Sequence, residues 1–128
     1  MLRLLPAEEV RSTLERFCSD QGFEAAAIIS AVGSVDNATI RFGGRSEGTV
    51  VSGDLEICGL SGTLSKHGMH LHLTVADRDG QVTGGHLVQA RVRTTLELVL
   101  QEIGGVRMPR RPDALTGHNE LCPEELEP

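Results

Sequence analysis

Aromatic residues are scarce in this sequence, which has no tryptophan, no tyrosine and only three phenylalanines. Proteins that stack unpaired bases need several aromatic platforms, so binding of single-stranded nucleic acid by stacking is disfavoured. Long hydrophobic runs are also missing, and no segment approaches the ~20 apolar residues of a membrane-spanning helix. Residues 1–10 lack a basic segment followed by a long apolar stretch, so we expect neither a signal peptide nor a membrane association.

Paired cysteines and an excess of positive charge are absent as well. The three cysteines, Cys18, Cys58 and Cys122, are widely spaced without a C-x-x-C motif, which predicts a reducing, cytoplasmic location and no disulfide framework. Cys18 and Cys58 stand among apolar residues and are predicted to fill the core. The net charge is −6, whereas domains that bind nucleic acid through their surface field are usually basic. Direct DNA binding is therefore disfavoured.

The length of 128 residues predicts one domain, 1–128. A helix is predicted over Pro6–Asp20, where apolar residues repeat at three- and four-residue spacing and Gly22 is suited to end the helix. A short strand is predicted before it, within Leu2–Leu5. The charged and proline-containing residues 104–128 are expected to form an extended tail outside a core of about 3–103.

After Gly22 the pattern changes to apolar and alternating segments separated by closely spaced turns, which is typical of strands. The predicted strands are Glu24–Val35, Ala38–Phe42, Val50–Leu64, Met69–Ala76, Gln81–Ala90 and Arg91–Glu102. Short connections favour an antiparallel sheet. The fold class is therefore α+β, with a mainly antiparallel β-sheet and an N-terminal helix.

Two histidines mark the segment with the most chemical interest. His70 and His72 are two residues apart on a predicted strand, so both side chains point to the same face. The opposite, apolar face then carries Leu71, Leu73 and Val75.

The next turn decides where a third histidine lies. Residues 78–80 suit a three-residue hairpin loop that ends in a glycine of positive φ. This loop places His72 opposite His86 and His70 opposite Val88, so three imidazoles converge on one face. A two-residue loop would shift the register by one residue and put His86 on the other face.

Three convergent neutral imidazoles with an open fourth position are a ligand set for Zn²⁺. The sequence therefore predicts that His70, His72 and His86 bind Zn²⁺ or a similar divalent metal. The alternative is that each is a polar residue on a solvated sheet face. His67 and His118 are predicted to be loop-surface residues rather than ligands.

Two carboxylates interrupt apolar runs and allow two interpretations. Glu56 and Glu97 either face outward from their strands or lie near the histidines, as a general base or as a partner of a ligand. Beside His86, the pair Gly84–Gly85 is predicted to permit a close approach of neighbouring backbone.

These histidines belong to a wider set of motifs. An H-x-H motif is followed by D-R-D-G and then by G-G-H-L, at His70–His72, Asp77–Gly80 and Gly84–Leu87. Together with Ala31–Val35, Glu56–Leu64 and Thr95–Leu100, these motifs resemble the PPC or PCC domain, which is conserved in plants and prokaryotes. The resemblance covers about residues 3–121.

The resemblance implies a compact α+β domain that assembles as a homotrimer, with a metal held at the histidines matching His70, His72 and His86. In plant relatives an AT-hook before the domain binds DNA, and the segment Gly-Arg-Phe-Glu-Ile-Leu serves partner binding. Here Asp54 and Leu55 replace the arginine and phenylalanine, and no AT-hook is present. Prokaryotic members are often called DNA-binding proteins by analogy with the plant proteins.

Three functions remain open at this stage. The first is a homotrimeric binding or oligomerisation module with a three-histidine metal site and a role in a DNA-associated or transcriptional assembly. The second is a small metal-dependent enzyme that uses the histidines, and the third is direct DNA binding. A trimer also suits the apolar strands, because a single sheet has more apolar surface than one helix can cover.

Overall fold

The computed structural model describes residues 1–127, in which strands dominate and one helix lies near the N-terminus. The predicted α+β class is confirmed. The elements are β1 (Leu2–Leu4), α1 (Val10–Gln21), β2 (Ala26–Arg41), β3 (Thr49–Ser65), β4 (Gly68–Ala76), β5 (Val82–Glu102), β6 (Val106–Arg107), β7 (Arg110–Pro112), β8 (Asn119–Leu121) and β9 (Glu124–Glu125). None of the described helical segments has the length and apolar character needed to cross a membrane.

The main sheet closes on itself as a barrel. Strands β2, β3, β4 and β5 form an antiparallel ring, because β5 pairs with both β2 and β4, and β1 adds to the far end of β5. Closure is possible because β5, with 21 residues, is long enough to pair with β4 through its first part and with β2 through the rest. The expectation of a single sheet with an uncovered apolar face is therefore wrong: the inner faces cover one another.

The barrel interior is filled mainly by leucine, isoleucine and valine. Alternation along the strands places one face inside, and α1 adds Val10 and Leu14 to the same core. The largest fully buried side chains from the strands are Leu4, Ile40, Leu55, Leu64, Leu71, Leu73, Leu87, Leu96, Leu98 and Val35. Cys18, on α1, is buried as predicted. The same prediction is wrong for Cys58, which is exposed because it lies at a register shift between Ile57 and Gly59 on the outer face of β3.

In two places, a pair of consecutive predicted strands forms one continuous strand in the structure. One strand, β2 (Ala26–Arg41), replaces the two strands predicted within residues 24–42, and one strand, β5 (Val82–Glu102), replaces the two predicted within residues 81–102. An irregularity between Val35 and Asn37 leaves Asp36 out of the pairing, and its carboxylate accepts two hydrogen bonds from Arg91, each 2.9 Å long. A β-bulge thus bends the strand without ending it.

The tail, predicted to be extended, forms two small strand pairs, β6–β9 and β7–β8. Met108 is buried; its N–H donates to the carbonyl of Glu24 at 2.9 Å, and its carbonyl accepts from Ser65 Oγ at 3.2 Å. Arg107 donates to Glu124 at 2.6 Å, and Arg111 contacts the same carboxylate. Arg107, Arg110 and Arg111 form the basic cluster of the tail, and two of these three arginines are therefore paired.

The helix begins later than predicted. Pro6 lies in a turn, and Glu9 is the N-cap, because its carboxylate accepts hydrogen bonds from the backbone N–H groups of Arg11 and Ser12. The predicted stop is confirmed: Gly22 has a φ of 69° and caps the C-terminal end. The Glu9 carboxylate also accepts from the N–H of Ala90 at 3.1 Å, so one side chain joins α1 to β5.

This bridging role predicts that Glu9→Ala lowers the free energy of unfolding by about 1–2 kcal/mol at pH 7, the range for a lost N-cap. Burial raises the pKa of Glu9, but the hydrogen bonds from Ser12, Ala90 and Arg11 outweigh it and lower the pKa overall. The stabilisation is therefore present above the unfolded-state pKa and is lost as the pH falls through the folded-state pKa. Urea unfolding at pH 7 and at acidic pH measures both effects.

Glu15→Ala is the matched control, because Glu15 lies on the same helix and makes only a 3.6 Å ion pair with Arg11 on the surface. Such pairs contribute little. Equal losses of stability in the two variants would contradict the capping role of Glu9.

Candidate metal centre

The turn between β4 and β5 has the predicted form. The N–H of Asp77 donates to the carbonyl of Gln81 at 3.0 Å, and the N–H of Gly80 donates to the carbonyl of Asp77 at 2.9 Å. Gly80 has a φ of 76°. The Asp77 carboxylate also accepts from the N–H groups of Asp79 and Gln81, each at 2.9 Å. A three-residue loop therefore fixes the register of the hairpin.

That register places His72 directly opposite His86, as predicted. The prediction that His70 lies opposite Val88 is wrong. The β4–β5 ladder ends at the pair His72–His86, so His70 has no partner on β5; on the other edge of β4 it pairs with Thr63 of β3. Beyond His86, β5 leaves β4 and continues along β2.

The three histidines nevertheless converge. One ring nitrogen from each of His70, His72 and His86 lies within 4.8 Å of the others. The ring centroid of His70 is 5.0 Å from that of His72 and 5.0 Å from that of His86, and the ring centroids of His72 and His86 are 6.0 Å apart. His70 and His72 are exposed, whereas His86 is half-buried. A cluster of this kind can hold a metal ion with one side open to a ligand.

Glycines let the strands approach closely behind these side chains. Gly62, between the β3 residues opposite His70 and His72, has a φ of 149°, and a Cβ there would lie 2.0 Å from the carbonyl oxygen of His70. A Cβ on Gly85 would lie 2.7 Å from the carbonyl oxygen of Arg41. A Cβ on Gly84 would lie 2.9 Å from the carbonyl oxygen of Leu73, so the predicted role of Gly84–Gly85 is confirmed.

The electrostatic surroundings favour neutral imidazoles. Burial, followed by the positive charge of Arg41, lowers the pKa of His86 to about 4. Burial and the neighbouring His72 also lower the pKa of His70. His86 Nδ1 is buried and has no hydrogen-bond partner within residues 1–127. A neutral imidazole nitrogen without a partner is the form that ligates a metal.

A cavity of about 300 Å³ lies beside the cluster, on the side of the tail. Its lining comprises Arg41, Met69, His70, His86, Arg110, His118, Asn119 and Glu120. Four of these residues come from the tail, whose contribution the sequence did not predict because the tail has no periodic pattern. Arg41 was missed because only the long-range β2–β5 register places it opposite His86.

Neither carboxylate considered in the sequence lies in this site, which corrects the hypothesis of a base at Glu56 or Glu97. Both face outward from their strands and are exposed. Glu56 pairs with Ala76, at the opposite end of β4 from His70. Glu97 lies in the second half of β5, which pairs with β1 and β2. The carboxylate that does border the cavity is Glu120.

The two remaining candidate histidines have different surroundings. His67 lies in the β3–β4 turn with its Nε2 2.8 Å from Glu24 Oε2, so it is a surface residue as predicted and lies outside the cluster. His118 is exposed, as predicted, but it borders the same cavity as His70 and His86.

Fold and cluster together define a small closed β-barrel domain with a three-histidine site. The chain belongs to the Plants and Prokaryotes Conserved (PCC) domain family, whose sequence model matches residues 1–104. The resemblance seen in the motifs is thereby confirmed.

Solved structures agree with this assignment. A hypothetical protein from Salmonella cholerae-suis is 40% identical, with a TM-score of 0.93 over 97% of this chain and 91% of that one. A protein from Archaeoglobus fulgidus described as metal-containing is 31% identical, with a TM-score of 0.73 over 94% and 90% of the two chains. A protein from Bacteroides thetaiotaomicron, provisionally named as DNA-binding, is 25% identical, with a TM-score of 0.84 over 94% and 88%.

The chain is also similar to part of a much longer protein. It is 44% identical over 126 residues to the bifunctional protein GlmU of a Synechococcus strain, covering 98% of this chain and 20% of that protein. The chain therefore spans about a fifth of the length of the curated relatives that it matches.

The close approach at Gly62 gives a prediction about the scaffold of the site. Gly62→Ala should lower the free energy of unfolding by about 1–3 kcal/mol for the strain of alanine at this φ, and by more because its Cβ collides with the His70 carbonyl. The control is Gly59→Ala on the same strand, where a Cβ meets no atom within 4 Å. Urea unfolding compares them; a loss no larger than that of the control would contradict the packing argument.

Proposed function

We propose that this PCC domain is a metal-binding module in which His70, His72 and His86 hold Zn²⁺ or a similar divalent ion. The observation that carries the proposal is the convergence of the three ring nitrogens within 4.8 Å. The lowered pKa values of His70 and His86 support it, because neutral imidazoles ligate metals at pH 7. The unpartnered Nδ1 of His86 supports it as well. When bound, such an ion supplies a Lewis-acidic position for a fourth ligand.

The domain's own residues determine what could happen at that position. An enzyme with this site requires a base near the ion. Because Glu56 and Glu97 face away, the enzymatic alternative depends on Glu120. A binding module requires no base, so the arrangement favours ligand binding over catalysis.

We also propose that the domain assembles as a homotrimer, as family membership implies. The barrel buries its inner apolar faces, but Ile29 and Val32 on β2 and Val99 on β5 remain exposed on the outer surface. Val32 and Val99 line one surface depression together with Met1 and Leu2. This apolar area is suited to contact between copies of the chain.

A DNA-associated role would then depend on partners rather than on direct contact with DNA. The net charge of −6 becomes about −18 in a trimer, which repels a polyanion. The basic cluster does not offset this charge, because Arg107 and Arg111 both pair with Glu124.

The metal site is tested by substitution. Wild-type protein purified without a histidine tag should contain about one metal ion per chain by elemental mass spectrometry, and His72→Ala should contain almost none, because two imidazoles alone hold an ion weakly. His67→Ala is the control, because His67 contacts Glu24 outside the cluster. Equal metal content in the His72→Ala and wild-type proteins would refute the site.

The assembly is tested by light scattering coupled to size exclusion. A trimer has a mass of about 41 kDa, three times the 13.7 kDa of one chain. Val32→Glu should shift the mass downward because it puts a charge into the apolar area. Val82→Glu is the matched control and should leave the mass unchanged, because Val82 is as exposed as Val32 (63% and 64%) but lies outside the apolar area. A stable wild-type species near 13.7 kDa at micromolar concentration would contradict the trimer.

A further inference from the structure

The cavity beside the three-histidine cluster contains two arginines without a carboxylate partner. Among the described residues, neither Arg41 nor Arg110 has a carboxylate oxygen within 4.0 Å. The neighbouring Arg111, by contrast, pairs with Glu124. The tail therefore neutralises the arginine that faces away from the cavity and leaves Arg110 available in it.

The side chain of Arg110 is held in place, but not all of its hydrogen-bond donors have an acceptor. Its side chain runs beside Gly68, with Cδ 3.5 Å from the position of a Cβ there, and Nη2 donates to Thr63 Oγ1 at 3.3 Å. Its Nε is buried and has no hydrogen-bond partner within residues 1–127. A buried, charged donor without an acceptor is costly, and a negative charge beside the guanidinium offsets part of that cost, so an oxyanion next to Arg110 is favoured.

Arg41 approaches the same cavity from β2. It lies directly opposite His86 in the β2–β5 ladder. Within residues 1–127 its guanidinium makes one hydrogen bond, to the carbonyl of Arg45, which is long at 3.4 Å. The two arginines and two of the three cluster histidines, His70 and His86, thus line one small space. Arginine is suited to carboxylate and phosphate groups because its donors match their oxygens.

We propose that this cavity binds a small molecule through one oxyanion group, a carboxylate or a phosphate, which Arg110 and Arg41 hold beside the three-histidine metal site. This inference rests on the proposed metal-binding function. Glu120 borders the same cavity and repels a second negative group, so the rest of the ligand should be neutral or should present a hydrogen-bond donor to Glu120. The volume of about 300 Å³ suits a small metabolite.

The proposal also assigns a role to the tail. The family model matches residues 1–104, which include the three histidines and Arg41. Arg110, Asn119 and Glu120 lie beyond that range, on β7 and β8. The matched region therefore supplies the metal ligands, and the tail supplies much of the wall that selects the ligand.

The test uses the full chain loaded with Co²⁺, whose visible absorption reports changes at the metal. Inorganic phosphate and acetate are titrated separately, so that the two arms distinguish a phosphate from a carboxylate preference. At least one should give a saturable spectral change, and Arg110→Met should weaken its apparent affinity at least about tenfold, the effect of losing a charge-assisted contact. Arg41→Met is a second, independent variant with the same expected direction.

Arg111→Met is the matched control, because Arg111 neighbours Arg110 in sequence but contacts Glu124. It should leave the affinity unchanged. Each variant must also retain the wild-type Co²⁺ content, which shows that folding and the metal site are intact. Equal affinities in the wild-type, Arg110→Met and Arg41→Met proteins would overturn the proposal.

Failure of the metal site is distinguishable from failure of the anion site. Wild-type protein that takes up no Co²⁺ refutes the proposed function. Calorimetric titration of that protein with phosphate and acetate then still decides the arginine contacts, and binding lost in Arg110→Met supports them. Normal Co²⁺ uptake without a response to either anion overturns the anion proposal and leaves the metal site standing.

Discussion

The three-residue turn at 78–80 is the constraint on which both the core and the candidate site depend. It pairs His72 with His86, and the same register buries Leu71, Leu73 and Leu87. A shift of one residue would bring His86 into the barrel and expose Leu87, at a cost of several kcal/mol of lost burial. The histidine cluster is therefore fixed by the energy of the hydrophobic core, and it needs no stabilising contacts of its own.

Barrel closure extends this constraint to the other strands. Because β5 pairs with β4 through Val82–His86 and with β2 further along, His86 lies where three strands meet. Glycines are required at this junction, since a Cβ at Gly85 would collide with β2 and a Cβ at Gly84 with β4. The junction brings Arg41 opposite His86, so closure also adds charge to the site.

Features set by neighbouring residues could be predicted from the sequence, and features set by distant contacts could not. The turn ending in Gly80, the helix stop at Gly22 and the alternation around His70 depend on local backbone geometry. Cys58 was misplaced because a register shift, visible only in the pairing of β3 with β4, sets its face. The docking of the tail on the barrel was not predicted, because contacts such as Met108 with Ser65 and Arg110 with Thr63 join segments 43 and 47 residues apart. Glu120 reaches the cavity only through that docking.

The net charge of the chain and the local charge of the cavity have opposite signs, so they act differently on a large polyanion and on a small anion. A net charge of −6 acts on a long polyanion over its whole length, whereas Arg41 and Arg110 act across a cavity of about 300 Å³, whose width is no more than about one Debye length in physiological salt. A small anion can enter and meet mainly those two charges, but a DNA backbone must also approach the rest of a chain whose net charge is −6. Both charge arguments therefore support the proposed small oxyanion ligand over a nucleic acid. The tail strengthens this selection, because it pairs Arg107 and Arg111 with Glu124 while leaving Arg110 to the cavity.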